Sequence, residues 1–265
     1  MVMRNSIFRI QFASNLRVHN LPLKQSSQLL TPVSRNLALL GDIGLPKCNK
    51  TRDFFKWCES MYDTIYWVPG YLEFSDYEQK KHTWQERLDA GYESIDMWNL
   101  KKTLLCSKQA FYIQESRLEL LLTPLWNQMI NIPIYVKSNN GSKLLSKKDL
   151  IDLKTSEFDW LLRMTAYSSV PVAWLTYASP FNISAVNDIS VDLPYLDHPK
   201  LVCSIRGKNN SMGENILGSS TNVKGSSSFI TDAYWEYSDT TNENQNQNPN
   251  NININEKIMN ILKLY

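Results

Sequence analysis

The chain is poor in what most catalytic templates require. Three histidines in 265 residues leave little imidazole for metal sites or acid–base work. The four cysteines (Cys48, Cys58, Cys106, Cys203) lack the spacing of a zinc site or a disulfide framework, so a reducing, intracellular compartment is expected. There is no Gly-x-Ser-x-Gly elbow, Walker loop or His-Glu-x-x-His pair, which removes the usual signatures of those nucleophile, nucleotide and zinc chemistries. No run approaches the roughly 18 apolar residues of a membrane span. Met1 to Ile10 lacks the roughly 7–15-residue apolar core of a signal peptide, so no leader is expected. Charge is balanced too: 28 basic against 26 acidic residues, net +2, gives no electrostatic footprint for nucleic acid.

What remains describes a globular chain. Hydrophobic residues make up 43% and eight are tryptophan, enough for one large core. The organising stretch is Leu37 to Gly44, Leu-Ala-Leu-Leu-Gly-Asp-Ile-Gly. Four apolar residues followed by Gly-Asp read as a buried strand breaking into a tight turn, with the Asp42 carboxylate at its C-terminal edge. Open α/β sheets place ligands at that edge. Phe8 to Val18 and Ile65 to Glu73 read as further strands. Asp53 to Met61, with Phe54, Trp57, Cys58 and Met61 on one face, reads as a helix packed on the sheet. Ser26 to Pro32 is expected as a helical crossover, so the chain opens β-α-β-α-β with parallel strands.

Beyond that, Tyr77 to Trp98 has helical character, with Gly91 as a candidate bend and Glu86, Arg87, Asp89, Glu93 and Asp96 as a solvated face. Leu104–Cys106, Ala110–Ile113, Leu118–Leu122, Val170–Leu175, Lys200–Ile205 and Phe229–Tyr237 read as strands. Lys137 to Lys148 reads as a surface loop, and Ser156 to Ala166 as a helix.

In order and spacing these segments resemble a calcineurin-like metallophosphoesterase. That family carries Asp-x-His, Gly-Asp and Gly-Asn-His-Glu after its first three strands. This chain has Asn15-Leu16-Arg17, Gly41-Asp42 and Gly70-Tyr71-Leu72-Glu73 there. Later, Thr176-Tyr177-Ala178-Ser179-Pro180 stands where the family has Thr-His-His-x-Pro. Arg206-Gly207-Lys208-Asn209-Asn210 stands for Gly-His-Thr-His, and Asn222-Val223-Lys224-Gly225 for Asn-x-x-Gly. The resemblance runs from about Arg9 to Gly225 and implies an α/β fold, a four-layer α/β/β/α metallophosphoesterase-like sandwich.

It also implies a degenerate site. Two divalent ions roughly 3.5–4 Å apart need Asp, His and Asn ligands. Of the matched positions Asn15, Arg17, Asp42, Tyr71, Leu72, Tyr177, Lys208 and Asn210, only Asp42 keeps the family's ligand. An arginine cannot coordinate, because its guanidinium stays protonated. His19, His82 and His198 lie outside the matched motifs and read as ordinary surface or loop residues. No cofactor and no metal site are expected, and catalysis is not. Glu73, the retained end of its motif, is expected to orient its loop. Two readings of the substitutions stay open: Arg17 and Lys208 as countercharges for Asp42, or Arg17, Lys208 and Lys224 as a metal-free anion pocket for a phosphorylated ligand. A phosphoesterase with a rebuilt metal site is the remaining alternative.

The resemblance bounds one domain, 1–237; 238–255 is an Asn/Gln-rich spacer and 256–265 a short C-terminal helix. The function implied is a structural or protein-interaction role on a pseudoenzyme scaffold, with protein partners and no membrane span. Abundant asparagine suits an AT-rich genome such as that of a large DNA virus, so a virion component is an admissible setting. Trp84, Trp98, Trp126 and Trp235 are candidates for an exposed aromatic interface.

Overall fold

The computed structural model describes residues 7–22, 29–126, 133–139, 141–178, 200–206 and 230–237. Strand β1 (Phe8–Ser14) leads through irregular backbone to β2 (Asn36–Leu40). The described part of that crossover, 29–35, is not helical. Buried Gln11 holds it instead: its amide donates to Thr31 O, and its carbonyl accepts from Val33 N–H and the Tyr62 hydroxyl. Helix α1 (Asn49–Met61) lays Phe54, Phe55 and Cys58 on the sheet and ends where Lys102 Nζ donates to Glu59 O and Tyr62 O, a cation on orphan carbonyls.

Strand β3 (Thr64–Val68) fills the Thr64–Pro69 part of the expected stretch, and a single turn, α2 (Tyr71–Phe74), takes the rest. Helix α3 (Trp84–Met97) begins seven residues later than its periodicity predicts. The buried Asp76 carboxylate takes the amides of Lys80, Lys81 and His82 and so ties up the backbone just ahead of it. A Thr83–Glu86 capping box then starts the helix. Gly91 does not break it: a Cβ there would meet Leu105 at 2.8 Å, so this glycine allows close approach to β4 (Thr103–Leu105).

Strands β5 (Gln109–Ile113) and β6 (Leu118–Thr123) form an antiparallel hairpin. The expected loop at 137–148 is instead a second hairpin, β7 (Tyr135–Ser138) with β8 (Gly141–Leu144). Gly141 sits at φ +110, which glycine alone adopts readily. Helix α4 (Lys147–Tyr167) starts at a Ser146–Asp149 capping box, nine residues ahead of the apolar periodicity. Strands β9 (Val172–Thr176), β10 (Leu201–Arg206) and β11 (Ile230–Tyr237) complete the described elements.

Two sheets carry the fold, in the orders β11-β1-β2-β3-β4 and β10-β9-β6-β5. In the first, β1 to β4 run parallel and β11 is antiparallel to β1. In the second, β6, β9 and β10 run parallel. Alternating residues face two ways, so strands covered on both sides are almost wholly apolar. Ile10, Phe12, Leu40 and Val68 share one core with Leu120, Leu122 and Leu175 of the facing sheet. The outer residues Leu37, Leu39, Ile65 and Trp67 pack on α1. Leu121, Val172 and Trp174 pack on α4 through Leu161 and Phe158.

Among the described residues the tryptophans form no exposed patch. Trp98 and Trp126 are buried, Trp84 packs on Phe74 and Trp126, and the side chain of Trp235 lies outside the described residues. The large cores consume the rings of Trp84, Trp98 and Trp126. Arg87, expected on a solvated face, is 4% exposed. Cys48, Cys58 and Cys106 are free thiols, and among the described residues no helix is long and apolar enough to cross a membrane.

Candidate functional site

The parallel strands of the first sheet deliver three loops to one edge. Past β1, the amides of Asn15, Arg17 and Val18 donate to Gly41 O, Asp42 O and Ile43 O at 2.8–3.0 Å, so the first loop runs along the second. Ser14 Oγ also donates to Leu40 O at 2.7 Å. Asn15, Arg17 and Asp42 all take positive φ (60°, 48° and 54°), uncommon outside glycine although Asn and Asp tolerate it. Non-glycine residues keep such geometry only where their surroundings over-determine it.

Glu73 supplies much of that determination. Its buried carboxylate accepts from four backbone amides: Asp42 (3.0 Å), Ile43 (2.7 Å), Gly44 (3.1 Å) and Gly70 (2.8 Å). One side chain thus binds the loop after β3 to the loop after β2. Burial, and then the neighbouring Asp42 carboxylate, push its pKa up to about 7, while the amides pull the other way. Gly70 is glycine by necessity, since a Cβ would sit 2.6 Å from Asp42 N and 2.7 Å from its Oδ1.

Asp42 is 3% exposed. Leu72 N–H donates to Oδ1 (2.9 Å) and the Tyr177 hydroxyl donates to Oδ2 (2.9 Å). Tyr177 arrives from the end of β9, in the other sheet. Its ring packs against Gly41, where a Cβ would stand only 2.0 Å from Cδ2. Burial, reinforced by Asp42, raises the phenol far above its ordinary range, which keeps the donating proton in place. Tyr71 stacks edge-on against Tyr177 at 5.3 Å, and Trp126 lies beyond Tyr71 at 6.2 Å. Aromatic rings close the floor.

The structure therefore gathers Asn15, Arg17, Asp42, Tyr71, Leu72 and Tyr177 at one sheet edge, whereas Lys208, Asn210 and Lys224 lie outside the described residues. Arg17 touches Asp42 only through its backbone. Its exposed guanidinium donates to the Asn15 side chain instead, Nε to Oδ1 at 3.0 Å. The countercharge reading is corrected at this position: a phenol and an amide, not Arg17, satisfy the buried carboxylate. Among the described residues, the arrangement offers two divalent ions no complete ligand set. Both Asp42 oxygens are engaged, Tyr177 fills the space above Gly41, and among the described residues no group of three or more His, Cys, Asp or Glu side chains is placed to hold a metal.

A second buried acid was not anticipated. Glu157, on α4, accepts from Leu125 N–H (2.5 Å) and Trp126 Nε1–H (3.1 Å). It holds the loop leaving β6, where Leu125 takes φ 51°. Burial raises its pKa to about 7. Its sequence signal was slight, a glutamate on the apolar stripe of α4. His19 is half-buried with a lowered pKa, from burial and then Arg17, and His82 Nδ1 lies 3.8 Å from Asp76. Neither reaches Asp42 by any described contact.

No protein-family model matches the chain. A protein of Acanthamoeba polyphaga mimivirus, described only as uncharacterised, is 25% identical over an aligned 182 residues, 61% of each chain. The chain so spans less than two thirds of that relative's length. Among solved structures, the phosphopantetheinyl hydrolase of Mycobacterium tuberculosis superposes with a TM-score of 0.46 at 12% identity, covering 74% of this chain and 81% of that one.

Proposed function

We propose that the chain is a non-catalytic structural or protein-interaction domain on a four-layer metallophosphoesterase-like scaffold whose former metal site has become part of the core. One observation carries the reading: the Tyr177 hydroxyl on Asp42 Oδ2, with its ring against Gly41. A tyrosine in that position both consumes the one retained ligand and excludes a metal–water cluster by volume. Glu73 then has a purely architectural task, holding two loops by four amides. The likeness to a mimivirus protein supports a viral setting, in which such a domain serves as a particle component.

Calorimetric titration of the full chain and of Asp42→Ala with Mn²⁺ and Zn²⁺, paired with a phosphodiester hydrolysis assay, tests the site. No saturable heat and no turnover in either protein is the expected result. Stoichiometric binding that disappears in Asp42→Ala would overturn the proposal. Quantitative mass spectrometry of purified particles tests the setting, and absence of the chain from them would remove the particle role while leaving the sealed site intact.

A further inference from the structure

The two main sheets end in four edge strands, β11 and β4 in one, β10 and β5 in the other. An edge offers a row of unpaired backbone N–H and C=O groups, and charge, proline or shortness guards it against stray pairing. Three of the four are guarded in this way. β11 carries Asp232 and Glu236, β10 carries Arg206, and β4 is three residues long behind Lys101 and Lys102. β5, Gln-Ala-Phe-Tyr-Ile, runs for five residues with neither charge nor proline. β6 pairs with it along one side, and among the described residues no strand pairs along the other.

The two faces of this strand differ. Phe111 and Ile113 pack on the core between the sheets, where Phe111 meets Tyr66 edge-on at 5.2 Å. Ala110 and Tyr112 alternate with them onto the opposite face. Helix α4 covers that face over β6 and β9, through Leu121 and Trp174, but leaves Ala110 and Tyr112 exposed, Tyr112 at 56%. Apolar surface continues along the same edge. Leu104, paired with Tyr66, is 39% exposed, and Tyr92, whose hydroxyl accepts from Gln109 Nε2, is 38% exposed.

We infer that β5 is a dimer contact, at which a second copy of this chain adds its own β5 antiparallel to the first. A two-fold axis makes identical strands antiparallel and brings the same patch of both copies together. The alternation of faces sets even positions against even ones. With Phe111 on the axis, Ala110 stands opposite Tyr112 of the second copy, and the pair occurs twice. Each exposed phenol ring then covers a small side chain rather than colliding with a second ring. Charge agrees with this register. Exposed Lys108 precedes the strand and exposed Glu115 follows it, so antiparallel copies bring each lysine within one position of the other copy's glutamate. The contact joins the two four-stranded sheets edge to edge. No residue of β5 makes a described bond to Asp42, whose partners are Leu72 and Tyr177, so the dimer stands or falls apart from the sealed site.

Sedimentation equilibrium of the full chain over a range of concentrations tests this, beside Ala110→Lys and Tyr112→Lys. Wild type is expected to form a dimer and nothing larger, and both variants to lose it while keeping the wild-type circular dichroism spectrum. Mixing Ala110→Cys with Tyr112→Cys, oxidising, and mapping disulfides by mass spectrometry tests the register: links between positions 110 and 112 of different chains should exceed links between like positions. A wild-type monomer at every concentration overturns the inference. Slow amide exchange along β5 in that monomer would mean that the chain covers its own edge, and fast exchange that the edge is left to a different protein. A dimer that survives both lysine variants, or cross-links that favour like positions, overturns it as well. Should a lysine variant misfold, the wild-type mass and the cross-links decide.

Discussion

Glu73 and Glu157 are two solutions to one problem, and their difference explains the site. Each is a fully buried carboxylate under a loop that leaves a β-strand, and burial raises each to about 7. Glu157 serves one loop with two donors, Leu125 N–H and Trp126 Nε1–H. Glu73 serves two loops with four amides and has a second acid, Asp42, beside it. A perturbed buried carboxylate in a concave place is often taken for a catalytic group. Here the same shift accompanies an acid on α4 that only anchors a loop. What distinguishes a clamp from an acid–base catalyst is where its oxygens point: both of these point at amides or indole, and none of their described bonds goes to a solvent-facing group.

That comparison can be broken. The largest effect is expected for Glu73→Gln, which turns an NH₂ toward amides that need an acceptor. With about 1–3 kcal/mol per orphaned buried donor, urea unfolding should show a loss on the order of 4 kcal/mol. A loss under about 1 kcal/mol would mean the amides are not what holds this edge. Gly41→Ala comes next, at about 3 kcal/mol, since its Cβ would enter the Tyr177 ring. In a Tyr177→Ala background that cost should shrink to about 1 kcal/mol, the share due to positive φ. An unchanged cost would separate Gly41 from Tyr177.

Tyr177→Phe removes the hydroxyl from Asp42 and should cost about 2 kcal/mol, without creating metal binding in calorimetry. Glu157→Gln, with one orphan rather than two, should cost about 1.5 kcal/mol and speed amide exchange at Leu125 specifically. If it costs as much as Glu73→Gln, donor number is not what ranks the two acids.

The last effect is the dependence on pH. Between the ordinary value of 4.5 and about 7, the folded chain holds protons on these acids that the unfolded chain has released. Their contribution to stability therefore falls as pH rises through that window and is level above it. The readout is the difference between wild type and Glu157→Gln, because His19, with its lowered pKa, works in the opposite direction and is common to both. Wild type should lose more stability than the variant from about pH 5 to about pH 7.5; equal losses would show that Glu157 does not titrate there.

The sequence by itself determined the parallel strands at the start of the chain, the Gly41–Asp42 turn and the absence of imidazole at Arg17, Leu72 and Tyr177. These are local properties: apolar runs, turn residues and the identity of single side chains. It also placed Tyr177 at the end of a strand, but not on Asp42, 135 positions away. Only the tertiary structure decided that the phenol, rather than Arg17, satisfies that carboxylate, because the choice depends on which loops two facing sheets bring to one edge. The late start of α3 under Asp76, the Glu157 clamp and the burial of Arg87 were settled in the same way. Each is a buried polar group whose partner lies on another element or beyond the helical repeat, and no periodicity in the chain encodes that choice.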